Sequence, residues 1–165
     1  MIRSFWNPSK IYLLNTLNQN MSKLSIISND FVDGGEIPKN CGYKHGNEEP
    51  HIDFIPGETE PFPWAMIMDD PDAMKAVGKV WVHWLYYENE DEANDIDVNG
   101  KTDFGEIGYG GPAPPDKRHT YVFKAYALEV DLGDLKEGYS KQELEDVMKG
   151  HIIAEAKLTG TYAPD

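Results

Sequence analysis

Four polar side chains stand at the edges of apolar, strand-like runs: Asp70, His83, His119 and Tyr121. Two imidazoles, a carboxylate and a phenol can hold a phosphate-sized anion by charge-assisted hydrogen bonds without a cluster of Lys or Arg. Ahead of His119 runs Gly108-Tyr109-Gly110-Gly111-Pro112-Ala113-Pro114-Pro115. Its glycines expose backbone N–H groups to close approach and its prolines stiffen the loop, a rim suited to an anion. It is not a P-loop, because the Gly-Lys-Ser/Thr ending is missing, and no dinucleotide-type glycine spacing precedes a helix. The same groups form an acid/base set, and two His with one carboxylate can hold a metal. No activated Ser or Cys nucleophile is evident, however, and Cys41 lies in a separate loop segment. Ligand capture is therefore expected, with no catalytic residue, metal or cofactor assigned. An enzyme is the alternative.

Each residue also has a plainer reading. Asp70-Pro71-Asp72 follows an apolar run, and Asp72 suits the N-cap of a short helix from Ala73 to Val77 stopped by Gly78. His83 among aromatics can be a satisfied core histidine, and the Gly/Pro stretch a tight structural turn. His151 falls in a helical segment, where packing or capping is its default role.

The elements that must position these groups are mostly strands. Trp64 to Met68 is a short continuous apolar run, suited to a strand buried on both faces, and Asp70 sits where that strand leaves the core. Val80 to Tyr87 is rich in aromatic and branched residues, and period 2 places Trp81, His83 and Leu85 on one face. From His119 to Val130 the same arithmetic aligns His119, Tyr121, Phe123 and Ala125. Five prolines between Ile37 and Pro63 forbid a long helix there. Residues 88–106 hold eight carboxylates and one lysine, with Asn99-Gly100 as the expected turn of a solvated hairpin or loop. The spacing does not match a calcium-binding loop. Ser140-Lys141-Gln142-Glu143 is a capping box, opening a helix whose apolar stripe is Leu144, Val147, Met148 and Ile152, weakened or bent at Gly150. Leu158 to Tyr162 reads as a closing strand. Strands with one good helix near the end predict a mainly β protein, an antiparallel sandwich with peripheral helices.

Composition narrows the partners. The chain of 165 residues carries 29 acidic and 15 basic side chains, a formal charge of -14, which excludes nonspecific attraction to nucleic acid or anionic membranes. One cysteine allows no internal disulfide and points to a reducing, cytoplasmic location. No run reaches the roughly 20 apolar residues of a membrane span. Residues 1–22 contain Arg3 and Lys10 but no acid and make a poor signal peptide; an extension with Met21 as the true start is expected, followed by one domain over 23–165.

The ordered motifs resemble the phosphatidylethanolamine-binding protein family, particularly its prokaryotic Raf kinase inhibitor-like branch. The resemblance covers roughly residues 24–163. It is carried by Phe31 to Ile37, Met68-Asp69-Asp70-Pro71-Asp72-Ala73, Val82-His83-Trp84, Gly108 to Pro115, His119-x-Tyr121-Val122-Phe123 and His151 to Tyr162. It implies a β-sandwich with an anion pocket lined by Asp70, His83, His119 and Tyr121. Gly111, Pro112, Ala113 and Pro114 would form part of the rim, with Trp81 and Met74 as further pocket positions. Met74 replaces the family's usual proline, Ala113 a cysteine common in prokaryotic relatives, and Asn47 to His51 an Asn-x-Ser-Pro-Pro stretch. The implied ligand is a small anion or a phosphorylated headgroup. For some relatives the resemblance also implies a regulatory role as inhibitor of a kinase or protease, toward which the acidic 88–106 segment would steer a basic partner.

Overall fold

The structure is a computed structural model and describes residues 24–55, 62–89, 96–133 and 135–165. The expected extension, residues 1–22, lies outside the described residues. Among the described residues, eight strands form in the order β1 (Ser25–Ser28), β2 (Gly35–Glu36), β3 (Ile52–Ile55), β4 (Trp64–Asp70), β5 (Trp81–Asn89), β6 (Ile96–Asn99), β7 (His119–Leu128) and β8 (Ile152–Tyr162). Two helices, α1 (Ala73–Val77) and α2 (Lys141–Met148), lie between strands among the described residues, with one 3-10 turn over Lys39–Cys41. Six strands make one sheet in the order β2-β8-β7-β4-β5-β6, and β1 and β3 pair as a second. All pairings are antiparallel except the short one between β2 and β8. The mainly β sandwich expected from the sequence is thus the observed fold.

β4 lies inside the large sheet between β5 and β7, and all seven of its residues are buried. Its uninterrupted apolar run follows from burial on both faces. Trp64, Met66 and Met68 join Trp84, Tyr121, Phe123 and Ala125 in a core closed by Ile26, Ile52 and Phe54 from the small sheet. Ala65 and Ile67 face the other way, into a core with Leu85, Tyr87, Leu128, Leu144 and Met148. Burial of Leu144 and Met148 contributes roughly 1.5–3 kcal/mol each and attaches α2 to the sheet.

The capping box at α2 forms as expected: Ser140 Oγ accepts from Glu143 N, and the Glu143 carboxylate accepts from Ser140 N at 2.7 Å. The predicted stripe is shorter than expected. The helix ends at Met148, Val147 is exposed, and Ile152 begins β8 with a half-exposed side chain. Gly150, at φ +83, turns the chain out of the helix, so His151 lies in the connecting turn and not in a helix. The Asn99-Gly100 turn is also corrected. β6 pairs with β5 through Asn89↔Ile96, so residues 90–95, outside the described residues, connect the two strands. Gly100 instead passes so close to Leu85 and the Tyr139 carbonyl that a Cβ would lie 2.6 Å from each.

Candidate functional site: a buried histidine pair at the strand ends

A bulge aims His83 at the other groups. Between β4 and β5 the register runs Ile67↔Leu85, Met68↔Trp84, then Asp69↔Val82 and Asp70↔Trp81, which leaves His83 without an opposite residue. An extra residue in one strand bends it and redirects a side chain. The strict alternation expected for Trp81, His83 and Leu85 therefore fails. Leu85 packs in the core shared with α2, whereas the His83 ring meets Tyr121 edge-on at 5.0 Å and Phe104 at 5.5 Å. The alternation predicted for β7 holds, with Tyr121, Phe123 and Ala125 in one core and His119 buried at the start of the strand.

β4 delivers its two terminal carboxylates to opposite faces. Asp69 Oδ2 accepts from Lys141 Nζ of α2 at 2.8 Å. Asp70 Oδ2 accepts from His119 Nδ1 at 2.7 Å, and its Oδ1 accepts from Ala73 N at 3.2 Å. Asp70 thus supplies the bond at the start of α1 that was expected from Asp72. The Asp72 carboxylate instead accepts from Thr120 N at 2.9 Å and fixes the first turn of β7.

His119 is completely buried and donates twice: Nδ1 to Asp70, and Nε2 to Asp116 Oδ1 at 2.8 Å. An ionised carboxylate only accepts, and contacts from both ring nitrogens to two carboxyl groups fit a doubly protonated ring, an imidazolium. Burial opposes that charge, but the bonds to Asp70 and Asp116 outweigh it and raise the His119 pKa. The bond from His119 holds the Asp116 carboxyl below its ordinary value. His83 goes the opposite way. Burial lowers its pKa, against the raising effect of the Gly110 carbonyl and the nearby Asp70 charge. Its Nδ1–H donates to Gly110 O at 2.6 Å, which leaves Nε2 as the lone-pair atom of a neutral ring.

Tyr121 is fully buried, and its hydroxyl has no hydrogen bond of good geometry. Burial, with the Asp70 charge and a poorly aligned contact to its carboxylate, pushes its ionisation far up, against the lowering effect of a contact to the Ala113 backbone. The hydroxyl is therefore a neutral donor beside a cationic and a neutral imidazole.

The Gly/Pro loop covers this cluster. A Cβ at Gly111 would lie 2.0 Å from the Cys41 carbonyl, and one at Gly110 would lie 2.7 Å from the Phe104 ring. Gly111 N donates to Asn47 Oδ1 at 2.7 Å, and Asn47 Nδ2 donates to Tyr109 O. Tyr43 N donates to Pro112 O, so the loop is tied to residues 41–47. Pro112, Ala113 and Pro114 border a cavity of about 210 Å³ shared with Lys44, His45 and Tyr162 to Asp165. None of the four central residues lines it. Asp70, His83, His119 and Tyr121 are each no more than 3% exposed. Trp81 stands over Phe104 at 5.4 Å, with its indole N–H buried and unbonded. Met74 is half-exposed on α1 and touches none of the central groups by any described bond or ring contact. Among the described residues no three His, Cys, Asp or Glu side chains are grouped to hold a metal ion.

Three participants lay outside the sequence expectation: Asp116, Phe104 and Asn47. Asp116 had a local signal, since it stands three residues before His119. Phe104 and Asn47 reach the site only through the folded loops.

A sandwich whose strand ends bury a His/Asp/Tyr cluster under a Gly/Pro loop defines the class. The family model described as "Phosphatidylethanolamine-binding protein" matches residues 27–163, and the chain belongs to that family. A UPF0098 protein of Methanothermobacter thermautotrophicus is 38% identical over 154 aligned residues, which cover 84% of this chain and 98% of that protein. The crystal structure of a phosphatidylethanolamine-binding protein homolog from Chlamydia trachomatis superposes with a TM-score of 0.76 at 35% identity, covering 86% of this chain and 98% of that one. E. coli YbcL, described as a member of the mammalian family, shares the fold at a TM-score of 0.74 and 24% identity, over 87% of this chain and 99% of its own. Among the described residues no helix is long and apolar enough to cross a membrane.

Proposed function

We propose that this protein is a binding protein that captures a small phosphate-type anion, free or as a phosphorylated headgroup, among His83, His119, Tyr121 and the loop backbone. The observation that carries this reading is the Tyr121 hydroxyl, buried within ring contact of both histidines and making no hydrogen bond of good geometry, with only poorly aligned contacts to the Asp70 carboxylate and the Ala113 backbone. An unsatisfied buried donor costs roughly 1–3 kcal/mol, a cost that a ligand oxygen removes. The two imidazoles add complementary chemistry. His119 supplies a fixed positive charge, and the lone pair on His83 Nε2 accepts from a donor that the ligand brings, such as the O–H of hydrogen phosphate or the ammonium of phosphoethanolamine. Recognition through burial and local charge also explains how a chain of formal charge -14 can take an anion. Binding is favoured over covalent catalysis because burial pushes the Cys41 thiol up to about 11, so the one cysteine is not a ready nucleophile.

The test is an NMR titration of the histidine rings with inorganic phosphate and with phosphoethanolamine. Saturable shifts are expected at His83 and His119, with affinity reduced roughly tenfold in His83→Ala and in Tyr121→Phe, since hydrogen bonds to charged groups are worth about 1.5–3 kcal/mol. Tyr121→Phe keeps the ring packing. Rings that stay unmoved by millimolar amounts of either compound would overturn the reading.

A further inference from the structure

We propose that Asp116 is a built-in competitor for the anion: its carboxylate takes the His119 Nε2–H that a ligand oxygen would take, so binding is an exchange of one acceptor for the other. This inference rests on the anion-binding reading above and assigns what regulates that site. The imidazolium has two N–H donors and both are engaged, one by Asp70 and one by Asp116. An anion can reach His119 only by displacing one of them.

The two carboxylates differ in how firmly they are held. The Asp70 side chain is 4% exposed, sits at the end of a buried strand, and also accepts from the first amide of α1. Asp116 has a side chain 47% exposed on the loop, with His119 as its side-chain partner and otherwise only lesser contacts to the backbone amides of Lys117 and its own residue. Of its two neighbouring cations, Arg118 pairs with Glu36 at 3.2 Å and reaches Thr161, and no described ion pair joins Lys117 to it. Asp116 is therefore the acceptor that yields. With it in place, His119 is flanked by two negative charges, which repel an approaching anion. When it turns outward, one donor is freed and one repulsive charge leaves together. A ligand must then be a stronger acceptor than a carboxylate, which selects dianionic phosphate or phosphate monoesters over monoanions such as carboxylates.

The experiment measures dissociation constants for inorganic phosphate and acetate by calorimetry and histidine-ring NMR on the wild-type chain, Asp116→Asn and Asp116→Ala. Both variants change an exposed loop side chain, and an amide spectrum confirms that each is folded. Phosphate affinity is expected to rise about fivefold in both, the scale of a partly exposed ion pair, and acetate is expected to bind Asp116→Ala more tightly than the wild type. Binding by the variants alone would support the same exchange, with the wild-type competitor fully dominant. Equal or weaker phosphate binding in both variants beside a wild type that binds would overturn the competitor while leaving the anion reading intact. Absence of saturable binding in all three proteins would overturn the anion reading, and the competitor with it.

Discussion

Two carboxylates hold one imidazolium at nearly equal distances, 2.7 Å for Asp70 and 2.8 Å for Asp116, yet removing their charges will have unequal costs. Asp70→Asn leaves a buried imidazolium short of its buried counter-charge, and breaking a buried pair costs about 3–5 kcal/mol. The Asn carbonyl still accepts one bond, from Ala73 N or from His119, so the lower end, about 3 kcal/mol, is expected. For a chain of this length that is a fall in Tm of about 6–12 °C. Asp116→Asn breaks a pair whose carboxylate is 47% exposed and solvent-screened, and is expected to cost less than about 1 kcal/mol. The assay is urea denaturation of the wild type and both variants at pH 6. The pH is chosen by sign. His119 has a raised folded pKa, so its ion-pair contribution is complete below the unfolded value of about 6.5 and is lost as pH rises through the folded value. The Asp70→Asn deficit must therefore narrow in alkaline solution. Equal costs for the two variants, or an Asp70→Asn deficit that grows as pH rises, would refute both the ranking by burial and the assignment of His119 as a cation.

Gly111→Ala places a methyl 2.0 Å from a backbone carbonyl that cannot move aside like a flexible side chain, so a loss of roughly 2–4 kcal/mol is expected in thermal melts. Gly108→Ala is the control: it meets open space at φ +99 and carries only the backbone strain of an L-residue at positive φ, about 1–2 kcal/mol. His83 has a folded pKa lowered by burial, so below about pH 6.5 the unfolded chain takes up a proton that the folded chain resists, and stability falls with pH by up to about 1.4 kcal/mol per unit. Denaturation at pH 6.5 and 5.5 should show this fall in the wild type and a smaller one in His83→Gln; parallel losses in the two proteins would place the acid sensitivity elsewhere.

The strands were legible where one physical rule governed them. The run from Trp64 to Met68 has no polar interruption because both faces of β4 are covered, and β7 alternates because its two sides differ in burial. Period 2 failed at His83 because a bulge is a property of two strands in register, and one strand's sequence does not record its partner's count. The same limit explains Asp72. Its N-cap position was readable, but Asp70 reaches the Ala73 amide first, and Asp72 is drawn to Thr120, a residue distant in sequence.

The site was only half legible for a related reason. Residue type shows that histidine and tyrosine can hold an anion, but not which protonation state each histidine adopts. That choice is made by neighbours the chain brings together. His83 loses its charge in a pocket of aromatic rings and a backbone carbonyl, and His119 gains one between two carboxylates, although both start from the same intrinsic pKa. Two identical side chains thereby become an acceptor and a donor. A lone pair, a fixed cation and an unsatisfied hydroxyl lie under one loop, and the contact that covers the cation is made by the most exposed of the bonded groups. The chemistry that would recognise the anion and the contact that would delay it therefore meet at one atom, His119 Nε2, and substitution at residue 116 can separate them without disturbing the buried cluster.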